Sequence, residues 1–313
     1  MTAPVSRPNF LIIGAPKCGT TALHAVLARH PQIYMSRRKE PFFFTFENLP
    51  PDFADPGGEP FRRHAVTDWE SYQALFADAE SQIAIGEASA LYLTNFRPEQ
   101  TAENIRRRLP EVRLIAVLRQ PADRAYSHFT YNRQRGYEPL RDFRRALAAE
   151  EQRIAANWAP PCRYRRDGWY FHNLRPYFAR FPRSQIRIYL YDDWNTQPQT
   201  ILSDVCTFLQ IDPTLMPVQV ERKNVTTWKR SGFVTHLQRR ARAYKALLPH
   251  WLLRWVSPRV NAWNRSAPPP LDPRLRRELT ESYREEILNV QALIGQDLSH
   301  WFSAPAHGNA KVR

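Results

Sequence analysis

The order of apolar and polar positions divides the chain into short buried runs alternating with helically spaced segments. Residues 10–13 form a continuous apolar run, and 112–118 and 186–191 are nearly so, each bounded by Pro, Gly or charged positions. Runs of this kind mark strands covered on both faces of a parallel sheet. Residues 32–35 and 83–87 read as two further short strands. Spacing of three and four residues predicts helices over 20–30, 68–76, 99–109, 137–152, 168–181 and 198–209, with a Pro/Gly-rich loop over 49–59. A long helix over 272–294 follows a Pro-rich hinge at 268–270, and 298–302 docks the end. Strand and helix in alternation predict an α/β fold, a three-layer α/β/α sandwich around a parallel sheet of about five strands. Residues 1–220 form its core, and 221–313 a basic loop and helical C-terminal extension packed on that core.

Composition adjusts this picture in three places. The 313 residues suffice for a full core, and no apolar run reaches the length of a bilayer span. Cys18, Cys162 and Cys206 are odd in number and widely spaced. This argues against a disulfide framework and a Cys-type zinc site, and favours a reducing compartment. With no basic leader ahead of residue 10, the expected location is cytoplasmic. The formal net charge of +15 calls for an anionic partner. No nucleic-acid-binding signature accompanies it, so nucleic acid is not expected. Charge is densest over 222–265, where no acidic residue occurs and Trp228, Trp251, Trp255 and Trp263 are interleaved with arginine and lysine. Residues 234–255 could touch an anionic membrane at its inner face, although a helix packed on the core with a cationic outer side is the better reading.

The chemistry begins where the first strand ends, at Gly14-Ala-Pro-Lys17-Cys-Gly19-Thr20-Thr21. A strand delivers the chain to a helix start with free N–H groups, two hydroxyls and the positive end of the helix dipole, and Lys17 adds a full charge. This is an anion site. A nucleotide triphosphatase loop places its lysine after the second glycine, and here it stands before it. The strand over 112–118 ends in Arg119, where a metal-dependent triphosphatase would carry an aspartate for Mg²⁺. Both departures oppose a kinase or triphosphatase. Cys18 sits beside Lys17 at the helix start, a setting that lowers a thiol pKa, but a small residue tolerated by a tight loop is the simpler explanation.

The loop resembles the 5′-phosphosulfate loop of sulfotransferases that use 3′-phosphoadenosine 5′-phosphosulfate (PAPS), written P-K-x-G-T-T-x-L. The stretch from Leu118 to His128, L-R-Q-P-A-D-R-A-Y-S-H, resembles the family's 3′-phosphate motif. The resemblance implies a PAPS-dependent sulfotransferase releasing adenosine 3′,5′-bisphosphate (PAP) and needing no metal. Lys17, Cys18, Gly19, Thr20, Thr21 and Ala22 would hold the phosphosulfate, and Arg119 and Ser127 the 3′-phosphate. Tyr170 would approach the nucleotide, and Lys223, Lys229 and Arg230 would lie in a basic loop over it.

Lys39-Glu40-Pro-Phe42-Phe43 is similar to the K-E-x-x-F-F segment of the heparan-sulfate-type glycan enzymes. That makes Glu40 the base and Lys17 its catalytic partner, with Lys39, Phe42, Phe43 and Glu87 toward the acceptor. Glu87 or His128 is the alternative base. Gly86-Glu87-Ala88-Ser89 looks like the G-E-[KA]-[ST] segment, with Ala88 where many glycan enzymes have a lysine. The acceptor implied is a hydroxyl of a sugar or glycolipid, and the alternative is a small aromatic, lipid or polyketide alcohol.

Overall fold

A computed structural model describes residues 7–216, 228–229, 265–266 and 269–303. Five strands, β1 (Phe10–Gly14), β2 (Ile33–Met35), β3 (Ala84–Ala88), β4 (Arg113–Leu118) and β5 (Ile186–Leu190), form one sheet in the order β2-β3-β1-β4-β5. Every pairing is parallel, and Phe10 lies opposite both Gly86 and Arg113. All five residues of β1 are buried, as the apolar run requires of a central strand. Because the strands are parallel, their C-terminal ends open on one edge of the sheet, where the order reverses about β1. Ligands of open α/β sheets bind at such a point.

Helices cover both faces: α1 (Thr20–Leu27), α2 (Phe43–Phe46), α3 (Glu59–His64), α4 (Trp69–Ala74), α5 (Pro98–Arg108), α6 (Pro121–Arg135), α7 (Phe143–Ala148), α8 (Glu150–Ala155), α9 (Tyr170–Arg180), α10 (Tyr191–Thr196), α11 (Pro198–Leu209), α12 (Pro273–Ser282) and α13 (Arg284–Ile294). The three-layer α/β sandwich is therefore present. Asp68 caps α4 by accepting from the Ser71 N–H at 2.7 Å.

Two predicted helices take another form. The segment 137–152 is a turn followed by α7 and α8. Gly136 ends α6 at φ 81°, and Glu138 points inward to Arg153 instead of outward from a helix. The helix over 272–294 is interrupted at Tyr283, whose buried side chain donates to the Arg165 carbonyl at 2.8 Å. The short α2, α3 and α10 escaped the sequence reading because segments of four to six residues show too little periodicity.

The C-terminal helices share the main core through Leu279, Tyr283, Ile287, Val290 and Trp301. Arg276 pairs with Asp123 at 2.9 Å, and Gln120 donates to Thr280 at 2.7 Å, fixing α12 to the start of α6. The boundary expected at residue 220 and the segment 234–255 lie outside the described residues.

Candidate active site

The loop between β1 and α1 is built on left-handed backbone. Gly19, the N-cap of α1, has φ 91°, a backbone conformation strained for any residue with a Cβ, so glycine is favoured there. No side chain caps the helix, which leaves its first N–H groups free for an anion. Lys17 is also left-handed, at φ 70°. Its ammonium stands 4.1 Å from the centroid of the Tyr131 ring and has no carboxylate partner among the described residues. Burial, with the nearby Arg119 charge second, lowers its pKa to about 8.

At the end of β4, Arg119 lies over the Tyr191 ring at 4.7 Å, again without a carboxylate among the described residues. Arg124, the second arginine of the motif, is fully buried, 3.7 Å from Asp167 and bonded to the Tyr164 carbonyl. Of the two arginines of the motif, Arg124 therefore serves as a structural ion pair. Ser127 is partly buried in the second turn of α6. Residues 127, 131 and 135 follow at intervals of four, so one face of α6 carries Ser127, Tyr131 and Arg135. Tyr131 and Arg135 were missed in the sequence, although that spacing from Ser127 would have found them.

Around the loop, Thr20 is buried, Thr21 exposed and Ala22 partly buried. Cys18 is wholly buried, and desolvation pushes its thiol up to about 11. It is the small residue that the loop tolerates. Tyr170 is buried behind the loop: its hydroxyl donates to the Arg119 carbonyl at 2.9 Å and lies 3.9 Å from the Cys18 sulfur. The Tyr170 hydroxyl thus joins the loop to the end of β4.

The second half of the site follows β2. Glu40 has φ 60° and a carboxylate bound by two donors: its Oε2 accepts from the Ala90 N–H at 2.9 Å, and its Oε1 pairs with Lys39. Phe42 is partly buried against Phe61. Phe43 is fully buried and stacked on Tyr72 at 4.5 Å, so it supports the wall and offers no surface to an acceptor. Glu87 is fully buried, accepting from Ser89 Oγ at 2.9 Å and Tyr72 at 3.3 Å. Desolvation, reinforced by the Glu40 charge, raises its pKa to about 8. His128 is buried and held neutral by desolvation beside Arg124. Neither side chain reaches the surface, which leaves Glu40 as the accessible carboxylate of the original candidates.

Lys229 lies in a two-residue strand, β6 (Trp228–Lys229), that pairs antiparallel with β7 (Arg265–Ser266) and lies against α6. Lys223 and Arg230 lie outside the described residues. Among the described residues no three His, Cys, Asp or Glu side chains gather as a metal site.

A loop of this shape on β1, an arginine closing β4 and a carboxylate after β2, all on one sheet edge, agree with the family comparison. A model described as "Sulfotransferase family" matches residues 8–214. The chain belongs to the sulfotransferase family. It is similar to a sulfotransferase from Alicyclobacillus acidocaldarius at 29% identity and a TM-score of 0.76, covering 95% of this chain and 100% of that one. It is 31% identical over 214 residues to the bifunctional heparan sulfate N-deacetylase/N-sulfotransferase 4 of Mus musculus, a match to 66% of this chain and 22% of that protein. The chain thus spans about a fifth of that relative's length. It is also 34% identical over 127 residues to the membrane-associated sulfotransferase kil1 of Dictyostelium discoideum, covering 41% of this chain and 23% of the relative.

This sulfotransferase's expected cytoplasmic location is overturned by those relatives, one of which is membrane-associated by name. The cysteine argument fails because all three thiols are buried apart from one another and serve packing, which does not report the compartment. No helix among the described residues is long and apolar enough to cross a membrane.

Proposed function

We propose that this sulfotransferase moves a sulfuryl group from PAPS to an acceptor group on a carbohydrate, releasing PAP. The observation that carries the reading is the pair of uncompensated cations, Lys17 and Arg119, beside the uncapped start of α1. A partly buried ammonium without a counter-ion among the described residues is unfavourable in the free protein, and a donor bearing phosphosulfate and 3′-phosphate groups supplies the missing charge. The residues present therefore fit the donor.

In this reading the N–H groups from Gly19 to Thr21 and the Lys17 ammonium hold the phosphosulfate, and Arg119 and Ser127 hold the 3′-phosphate. Glu40 takes the proton of the acceptor as its heteroatom bonds to sulfur. The bond from sulfur to the bridging phosphate oxygen breaks, and its electron pair stays on that oxygen, where Lys17 neutralises it. Lys223, Lys229 and Arg230 are proposed to close over the nucleotide.

The acceptor is proposed to be a sugar hydroxyl, on the likeness of the Lys39–Glu40 segment to glycan enzymes. The name of the mouse relative favours a second reading, a sugar amino group. Product analysis on an oligosaccharide bearing both groups separates the two, and a small phenol serves as the control acceptor.

The decisive test is calorimetric titration with PAP and with Mg-ATP in one buffer, followed by turnover of Glu40→Gln. Micromolar PAP affinity, much weaker ATP binding, and a variant that keeps PAP affinity while losing about 10²- to 10⁴-fold in turnover are expected. Clear Mg-ATP binding without PAP binding would return the chain to the kinase reading.

A further inference from the structure

The two left-handed residues that flank Pro41 are held by one short segment. Glu40 and Phe42, at φ 60° and 59°, are ordinary L residues in a conformation that costs about 1–2 kcal/mol each. Such strain persists where surrounding contacts over-determine it. Here the contacts come from the end of β3 and the turn after it. The Glu40 N–H donates to the Ala88 carbonyl at 2.9 Å, the Phe42 N–H donates to Ser89 Oγ at 3.2 Å, and the Ala90 N–H donates to Glu40 Oε2 at 2.9 Å. Ser89 Oγ in turn donates to Glu87 Oε2, and the Tyr72 hydroxyl donates to Glu87 Oε1. Ser89 and Glu87 are both 0% exposed.

We propose that Ser89 and the Ala90 N–H form a bracket that aims the Glu40 carboxylate, making them positioning groups for sulfuryl transfer. The proposal rests on the reading of Glu40 as base. Each polar atom of the bracket has one consistent role. Glu87 accepts the Ser89 proton, which turns a Ser89 lone pair toward Phe42 and fixes the loop at that point. The Ala90 N–H then holds one oxygen of Glu40 while Lys39 holds the other. The Glu40 side chain keeps 29% of its surface exposed, so it remains open to an acceptor. Buried Glu87 supports this arrangement without meeting the acceptor.

Ala90→Pro isolates one bond of the bracket. Ala90 is the first residue of a 3₁₀ turn, where proline is accommodated, and Ser89 at φ −128°, ψ 97° needs a shift of about 20° in ψ to reach the extended backbone that favours a following proline. The substitution removes the N–H that orients Glu40. PAP affinity within about twofold of the parent and a fall in kcat of about 10- to 100-fold are expected, since misplacement of a reacting group by 1 Å has effects of that size. Ser89→Ala, checked for folding by its melting temperature and PAP affinity, is expected to behave alike. In a Glu40→Gln background neither substitution should slow turnover further, because groups acting through one residue are not additive.

Parental kcat in both variants would overturn the bracket while leaving Glu40 as base. So would a further slowing in the Glu40→Gln background, which would mean a merely structural effect. Full turnover in Glu40→Gln itself would remove the base and the bracket together.

Discussion

Lys17 and Arg153 are both basic side chains withdrawn from solvent, and their surroundings answer the charge in opposite ways. Arg153 forms a two-pronged pair with Glu138, Nη1 to Oε2 at 2.6 Å and Nη2 to Oε1 at 2.8 Å. The same carboxylate also accepts from the Tyr164 hydroxyl at 2.9 Å and the Leu140 N–H at 2.8 Å. Lys17 has, among the described residues, the face of Tyr131 and no carboxylate. The first region is closed: its charges balance within the fold and tie the turn after α6 to α8. The second is left positive, and Arg119 in the same loop cluster is equally unpaired. A partly buried cation without a carboxylate partner is a candidate for a ligand's charge, whereas a neutralised one marks architecture.

Substitutions should separate the two regions, and the largest effect belongs to the closed one. Arg153→Ala leaves Glu138 buried and unpaired, so a loss of about 3–5 kcal/mol in chemical unfolding is expected, with PAP affinity unchanged in the folded fraction. Next comes the open region. Lys17→Ala or Arg119→Ala should weaken PAP by about 100-fold, near 3 kcal/mol, with a melting temperature equal to or above the parent's. A fall in melting temperature as large as that of Arg153→Ala would erase the distinction between the regions.

The smallest effect is that of pH. Lys17 in the free protein titrates near 8, below an ordinary lysine, because burial disfavours its charged form. PAP binding requires the ammonium, so binding takes up a proton above that pH and weakens as pH rises. Affinity measured at pH 9.5 should be about 30-fold lower than at pH 7, and Lys17→Arg should flatten the dependence. An unchanged affinity across that range would mean that Lys17 does not carry the phosphosulfate contact.

Much of this contrast was legible in the chain. The apolar runs located all five strands to within a residue or two, because strands buried on both faces admit few polar positions. The Gly-x-x-Lys-x-Gly-Thr-Thr order and the arginine at the end of β4 pointed to a candidate anion site and to its departure from triphosphatases. Less legible were the fates of individual side chains. Arg119 and Arg124 stand five residues apart in one motif, yet one meets Asp167 and the other no carboxylate. Phe42 and Phe43 are adjacent, and only the first retains an exposed edge. Tyr170 lies in the right segment but turns its hydroxyl to the backbone of Arg119.

By itself, then, the sequence determined the sheet, the helix that follows its first strand, the sign of the ligand and the family. These follow from local spacing, apolar periodicity and residue chemistry, all of which act within a few positions. Tertiary structure decided which cations remain unpaired, which carboxylate stays accessible and which groups orient it. Those properties depend on burial and on partners 40 to 160 positions away, such as Ala90 for Glu40 and Tyr170 for Cys18. Only the closing of parallel strands onto one edge brings such distant residues together.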